Sequence, residues 1–93
     1  MFTGEARKAL RNLAKHGVAF EEAITVFADA DALEIEDEEH SATELRFIRI
    51  GFSLLGRILF VVYAVRRMKH GQEAIRIISA RQATRKERQA YAG

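Results

Sequence analysis

Ile75-Arg76-Ile77-Ile78-Ser79-Ala80-Arg81-Gln82-Ala83-Thr84-Arg85-Lys86-Glu87-Arg88 reads as a strand that runs straight into a capped, basic helix. Ile75, Ile77 and Ile78 are β-branched and favour a pleated, half-buried backbone. Thr84 followed three residues later by Glu87 is a capping box, in which each side chain satisfies a backbone N–H at the helix start. Strand alternation predicts that Arg76 and Arg81 leave on opposite faces, while Ser79 and Arg81 share one. The junction gathers guanidinium groups, a hydroxyl and a helix N-terminus. Proteins hold phosphate with those parts.

The chain upstream supplies a sheet for this strand. Ala74–Ala80 is its last member, and Ile58–Val65, apolar on both faces, takes the centre. Glu44–Phe52 and Ala32–Glu36 precede it, the latter with Leu33 and Ile35 on one face. Turns at Leu54–Gly56 and Met68–Gln72 are short, so the sheet is most simply an antiparallel meander. Thr3–His16 reads as a helix with the apolar stripe Ala6, Ala9, Leu10 and Leu13, ended by Gly17. A second helix, Phe20–Asp29, buries Phe20, Ala23, Ile24 and Phe27, and Thr84–Ala92 closes the chain. The expected fold is α+β: two N-terminal helices, an antiparallel sheet of about four strands and a C-terminal helix, in one domain over residues 1–93.

Composition narrows the function. A 48% hydrophobic and 30% charged chain of 93 residues suits one soluble domain with a modest core. With no cysteine, neither a disulfide nor a thiolate metal site can form. The longest apolar run, Ile58–Val65, is far short of the roughly 20 residues that span a bilayer. The first residues hold no apolar signal segment, so no membrane association and a cytoplasmic location are expected. The net charge of +2 conceals a division. Asp29 to Glu44 holds eight acids and no Lys or Arg, whereas Arg66 to Arg88 holds eight Lys or Arg against Glu73 and Glu87. A polyanion on the basic side fits that division.

Three runs carry a resemblance. Ile75–Arg81 followed by Ala83, Thr84, Glu87, Arg88 and Tyr91 is similar to the end of BrnT-type toxins. Asn12–Ala23 resembles their helix–turn–helix opening, and His40-Ser41 with Glu44, Arg46 and Gly51 resembles their central strand entry. The resemblance implies a RelE-like fold and a type II toxin–antitoxin ribonuclease that cleaves RNA without a metal and inhibits translation. It implies a BrnA-type ribbon-helix-helix antitoxin as partner, with promoter DNA bound only through that antitoxin. It marks His40, Glu44, Arg46, Arg76 and Arg81 as motif positions. Two departures stand out. Ala19 replaces the family's hydroxyl helix cap, and Phe2 alone remains of an opening strand, with Gly4 where an aromatic would fall. The first strand is therefore expected to be short or missing, leaving a sheet edge for a partner chain or a homodimer.

The residues themselves support metal-free phosphodiester chemistry. His16, His40 and His70 are far apart, and there is no His-Glu-x-x-His motif, Gly-rich phosphate loop or Gly-x-Ser-x-Gly elbow. No cofactor or metal is expected. RNA is cleaved by its own 2′-hydroxyl when a base takes the proton, cations hold the phosphate and an acid protonates the leaving oxygen. Acid–base help is worth roughly 10²–10⁴-fold and a charge on the oxyanion about 10²–10³. Histidine is the side chain type suited to proton exchange near neutrality, and His40 has Glu44 four residues on. Arg46, Arg49, Arg76 and Arg81 can supply charge to the phosphate. Arg49, Arg85, Lys86 and Arg88 are the expected RNA contacts. Against this stands a structural alternative, in which Glu44, Arg46 and Arg76 simply pair across strands. The chain would then be a non-enzymatic module that docks a DNA-binding partner. Phe47, Phe52, Phe60 and Tyr63 read as core rather than stacking platforms.

Overall fold

The computed structural model describes residues 2–3, 5–40 and 44–93. Gly4, and Ser41 and Ala42 within the acid-rich stretch from Asp29 to Glu44, lie outside the described residues. A short strand β1 (Phe2–Thr3) leads into α1 (Ala6–His16) and α2 (Phe20–Thr25), which tightens into a 3₁₀ turn at Val26–Ala28. The meander follows: β2 (Leu33–Glu36), β3 (Leu45–Phe52), β4 (Ile58–Arg67) and β5 (Glu73–Gln82), with α3 (Arg85–Ala92) last. The order across the sheet is β1-β5-β4-β3-β2, so the apolar β4 is central as its sequence demands. The four meander strands are antiparallel, but β1 is present and runs parallel to β5, which makes the sheet mixed.

β1 pairs only with Ile75 and Arg76. Beyond it the helix takes over the role of a strand. The Asn12 amide on α1 donates to the Ala80 carbonyl (2.8 Å) and accepts from the Ala80 N–H (3.0 Å), while also donating to the Val18 carbonyl (2.8 Å). This explains a departure from the expected stripe. α1 turns Ala9 and Asn12 toward the sheet and leaves Leu10 and Leu13 68% and 45% exposed. Gly17 ends the helix in the left-handed region (φ 69°), its N–H on the Leu13 carbonyl.

One face of the sheet holds the core. Leu59, Val61, Tyr63, Ile77 and Ala80 pack on Val18, Phe20, Ala23 and Val26. α2 has no side-chain cap at Ala19, and is tied down instead by Glu22. That buried carboxylate accepts from Ser53 Oγ (2.7 Å) and Arg57 Nε (3.0 Å) in the β3–β4 turn. Gly51 is needed for close approach: a Cβ there would lie 3.1 Å from Val26 Cβ and 3.2 Å from Ala32 Cβ.

The β4–β5 ladder holds one irregularity. Val62 pairs with Ser79 and Tyr63 with Ile77, which leaves Ile78 as a bulge residue. A step of four residues on β4 thus matches a step of five on β5: Arg76 opposes Ala64 and Arg81 opposes Phe60. Ala64 and Phe60 share a face, so Arg76 and Arg81 do too. The expected placement on opposite faces is therefore corrected, because the bulge absorbs one residue of the alternation.

Candidate active site

The face of the sheet opposite the core carries the candidate residues. Arg46, Ala64 and Arg76 form one row across β3, β4 and β5. Ala64 is small and buried, so the long side chains on either side can meet above it. Glu44, at the entry to β3, makes an ion pair with Arg76 across the central strand. The two stay 25% and 40% exposed. Glu44, Ala64, Arg66, Met68, Ala74 and Arg76 line a cleft of about 180 Å³ here. Arg66 was not among the expected site residues. Its signal is the register, since it opposes Ala74 and lies two residues beyond Ala64 on the same face.

Arg81 lies on the same face, four β4 positions from Arg76, or about 13 Å. Its guanidinium stacks on Phe60, 4.1 Å from the ring centroid. Phe60 is thus a platform for the arginine on the face opposite the core. Both terminal nitrogens of Arg81 donate to Glu87 (2.8 and 2.9 Å). Glu87 also closes the expected capping box: Oε1 accepts from the Thr84 N–H (2.9 Å), while the Glu87 N–H donates to Thr84 Oγ1 (3.2 Å). One carboxylate thus serves the helix N-terminus and the arginine, occupying the place expected for phosphate. Arg81 holds that carboxyl below the usual carboxylate range, and Glu87 in turn pushes the guanidinium up.

The other expected residues separate. The His40 backbone ends the 3₁₀ turn Glu38–His40 in the connection that leads to Glu44, and its side chain lies outside the described residues. Asp37 N–H donates to the Arg46 carbonyl (2.8 Å), which sets the start of that connection beside Arg46. Arg49 does not join the cleft. It points to the core side, where Nε donates to the Val26 carbonyl (3.1 Å) and NH2 to the Asp29 carbonyl (3.0 Å), above the Phe27 ring. These donors clamp the end of α2 to β3, on the side of the sheet away from the cleft. Arg85, Lys86 and Arg88 are exposed on α3, with Arg88 donating to the Ala83 carbonyl (2.8 Å). They flank Arg81 rather than the cleft.

The contact made by Tyr91, one of the residues of the resemblance, was not expected. Its hydroxyl donates to Asp29 Oδ2 (2.7 Å), which also accepts from the Phe52 N–H (2.8 Å), fixing the end of α3 to the far end of β3. The carboxylate raises the phenol to about 12, and the phenol lowers the carboxyl. Among the described residues, no three His, Cys, Asp or Glu side chains converge to hold a metal ion. No helix there is long and apolar enough to cross a membrane.

Residues 5–87 match the model of a protein family described as the ribonuclease toxin BrnT of type II toxin–antitoxin systems. The chain belongs to the BrnT toxin family. No curated relative matches it. In this BrnT chain the match covers Glu44, Arg46, Arg76, Arg81 and Glu87, and begins after the two-residue β1. It takes in Asn12 and Gly51 as well, whose structural roles are sheet-edge pairing and close approach. An antitoxin partner follows from membership of a type II system.

Proposed function

We propose that this chain is a metal-independent endoribonuclease with a RelE-like active face that cleaves RNA and thereby inhibits translation in the cytoplasm. The observation that carries the reading is the row Arg46–Ala64–Arg76 with Glu44 and Arg66 at its rim, on the face opposite the core. A phosphate seated over Ala64 has room above the methyl group and guanidinium groups on both flanks. Arg76 then exchanges its carboxylate partner for the phosphate, and its fork matches two phosphoryl oxygens.

Freed of that pair, Glu44 exchanges protons together with His40, which precedes it by four residues in the sequence. One takes the 2′-hydroxyl proton as the 2′-oxygen attacks phosphorus. The other protonates the departing 5′-oxygen. The products are a 2′,3′-cyclic phosphate and a free 5′-hydroxyl. Arg81, stacked on Phe60, binds a second phosphate along the same face, and the exposed Arg85, Lys86 and Arg88 extend it. A BrnA-type ribbon-helix-helix antitoxin would cover this face with acidic or apolar groups and carry the promoter-DNA contacts. In its absence the chain can pair with a second copy.

The test is RNA cleavage by the purified chain in excess EDTA. Arg76→Ala should lose about 10²–10³ in rate and Glu44→Gln about 10²–10⁴. Cleavage that persists at the wild-type rate in both variants would sink the assignment. The engagement of Arg81 by Glu87 favours a second reading, a non-enzymatic module that docks a DNA-binding partner. Salt-sensitive RNA binding without cleavage, with or without translating ribosomes, would select that reading.

A further inference from the structure

We propose that the groove between α1 and β5 is a second RNA site, which takes the sugar–phosphate backbone of the strand as it leaves the cleft. The proposal rests on the ribonuclease reading above and adds a site that the motif residues do not include. Lys8, Arg11, Lys15 and His16 line the groove on the helix side, with Ile78 and Ser79 on the sheet side, around about 270 Å³. Lys8, Arg11 and Lys15 follow at i, i+3 and i+7, so one helix face carries all three. α1 has no acidic residue between Ala6 and His16. Among the described residues none of these three cations has a carboxylate partner, in contrast to Arg49, Arg57, Arg76 and Arg81, which all do. The groove is thus a run of charge that no carboxylate among the described residues neutralises.

The sheet side explains the position. β1 pairs with β5 only as far as Arg76, and Asn12 pairs with Ala80. The edge between them, where Ile78 bulges, has no neighbouring strand. Ser79 belongs to both surfaces: it opposes Val62 on the face that bears Arg76 and Arg81, and it also lines the groove. A strand whose scissile phosphate lies at Arg76 therefore passes Ser79, crosses the open edge and meets Lys8, Arg11 and Lys15. Lysine ammonium groups on flexible stems suit a backbone whose sequence is not read. The exposed Leu10 and Leu13 are not part of the groove lining.

The experiment uses the full chain and labelled RNAs of about four and about 12 nucleotides, 2′-O-methylated to prevent cleavage. Binding is read by fluorescence anisotropy across a salt series. The variant is Lys8→Gln/Arg11→Gln/Lys15→Gln, whose helix propensity matches the parent and whose fold is checked by circular dichroism. For the long RNA, affinity should fall about 50-fold near 0.15 M salt and the log–log salt slope should shrink by about 2. The short RNA should bind, and an unmethylated short substrate should be cleaved, as by the wild type. Arg76→Ala should weaken both lengths alike. If the variant binds the long RNA with wild-type affinity and slope, the groove is overturned while the ribonuclease reading stands. If the wild type neither binds nor cleaves RNA, both fall. A variant that loses antitoxin binding but keeps the long RNA overturns the proposal and assigns the groove to the protein partner.

Discussion

Replacing Asn12 by alanine should be the most damaging single change outside the cleft. Asn12 is 7% exposed, and its amide makes three hydrogen bonds of 2.8–3.0 Å to backbone groups of Val18 and Ala80. Val18 and Ala80 are themselves fully buried, so water cannot replace the amide without opening the α1–β5 contact. A buried polar group stripped of its partner costs about 1–3 kcal/mol. Three groups at the low end give about 3 kcal/mol, against a total stability of about 5–15 kcal/mol for a domain. For a chain of this size each kcal/mol moves Tm by about 4–8 °C, so a fall of about 12–24 °C is expected. Asn12→Leu restores volume without the bonds and should be no better than alanine. Urea unfolding measures the loss, and exchange of the Ala80 amide locates it. A loss under about 1 kcal/mol, or Ala80 exchange unchanged relative to the rest of β5, would refute the view that Asn12 stands in for a strand.

Gly51→Ala places a methyl 3.1 Å from Val26 Cβ and 3.3 Å from the Val26 carbonyl, and should cost about 1–3 kcal/mol in a thermal melt. An unchanged Tm would mean that the turn after α2 yields freely. The pH profile of Tm should be a plateau with two flanks. Glu22 is held low chiefly by Arg57, Asp29 by Tyr91 and Glu87 by Arg81. Each contributes stability that is complete above its ordinary value (4.5 for glutamate, 3.8 for aspartate) and is lost as acid protonates it in the folded state. Tyr91, raised from 10.0 to about 12, contributes stability that is complete below pH 10 and lost as pH rises through its folded value. Tyr91→Phe should therefore remove the part of the alkaline flank between those values and leave the acid flank from Glu22 and Glu87. An identical alkaline flank in the variant would show that the Asp29 contact does not tie α3 down.

Local patterns made most elements legible. The β-branched run of β5, the apolar β4, the Gly17 stop and the Thr84/Glu87 box are each decided within a few residues. The misread parts depend on what lies across space. Leu10 and Leu13 have helical spacing, but α1 approaches the sheet at an edge where a small residue and an amide fit better than leucine. Arg49 could have been separated from Arg46, since three positions on a strand set opposite faces. Charge alone grouped them. Arg66 needs the β4–β5 register, and the Tyr91–Asp29 bond joins residues that no local pattern links.

The placement of Arg76 and Arg81 shows how far parity can be trusted. A separation of five predicts opposite faces, and on a regular ladder that would hold. The partner strand decides otherwise, because Ala64 and Phe60 are four apart and both turn away from the core that Leu59, Val61 and Tyr63 build. Had β5 kept the register of Ala80 and Arg81 without its bulge, Ile75 and Ile77 would share a face with Arg81 instead of with Ala80, which would turn two isoleucines outward and set Arg76 opposite Val65 on the core side. Burial of apolar area, about 25 cal/mol per Å², and the cost of an unpaired buried charge both oppose that register. The bulge at Ile78 is the cheaper solution: it leaves Ile75 and Ile77 on the core side, sets both arginines on the opposite face, and opens the stretch of edge beside Lys8, Arg11 and Lys15. Core packing therefore fixes which cations share one face of the sheet.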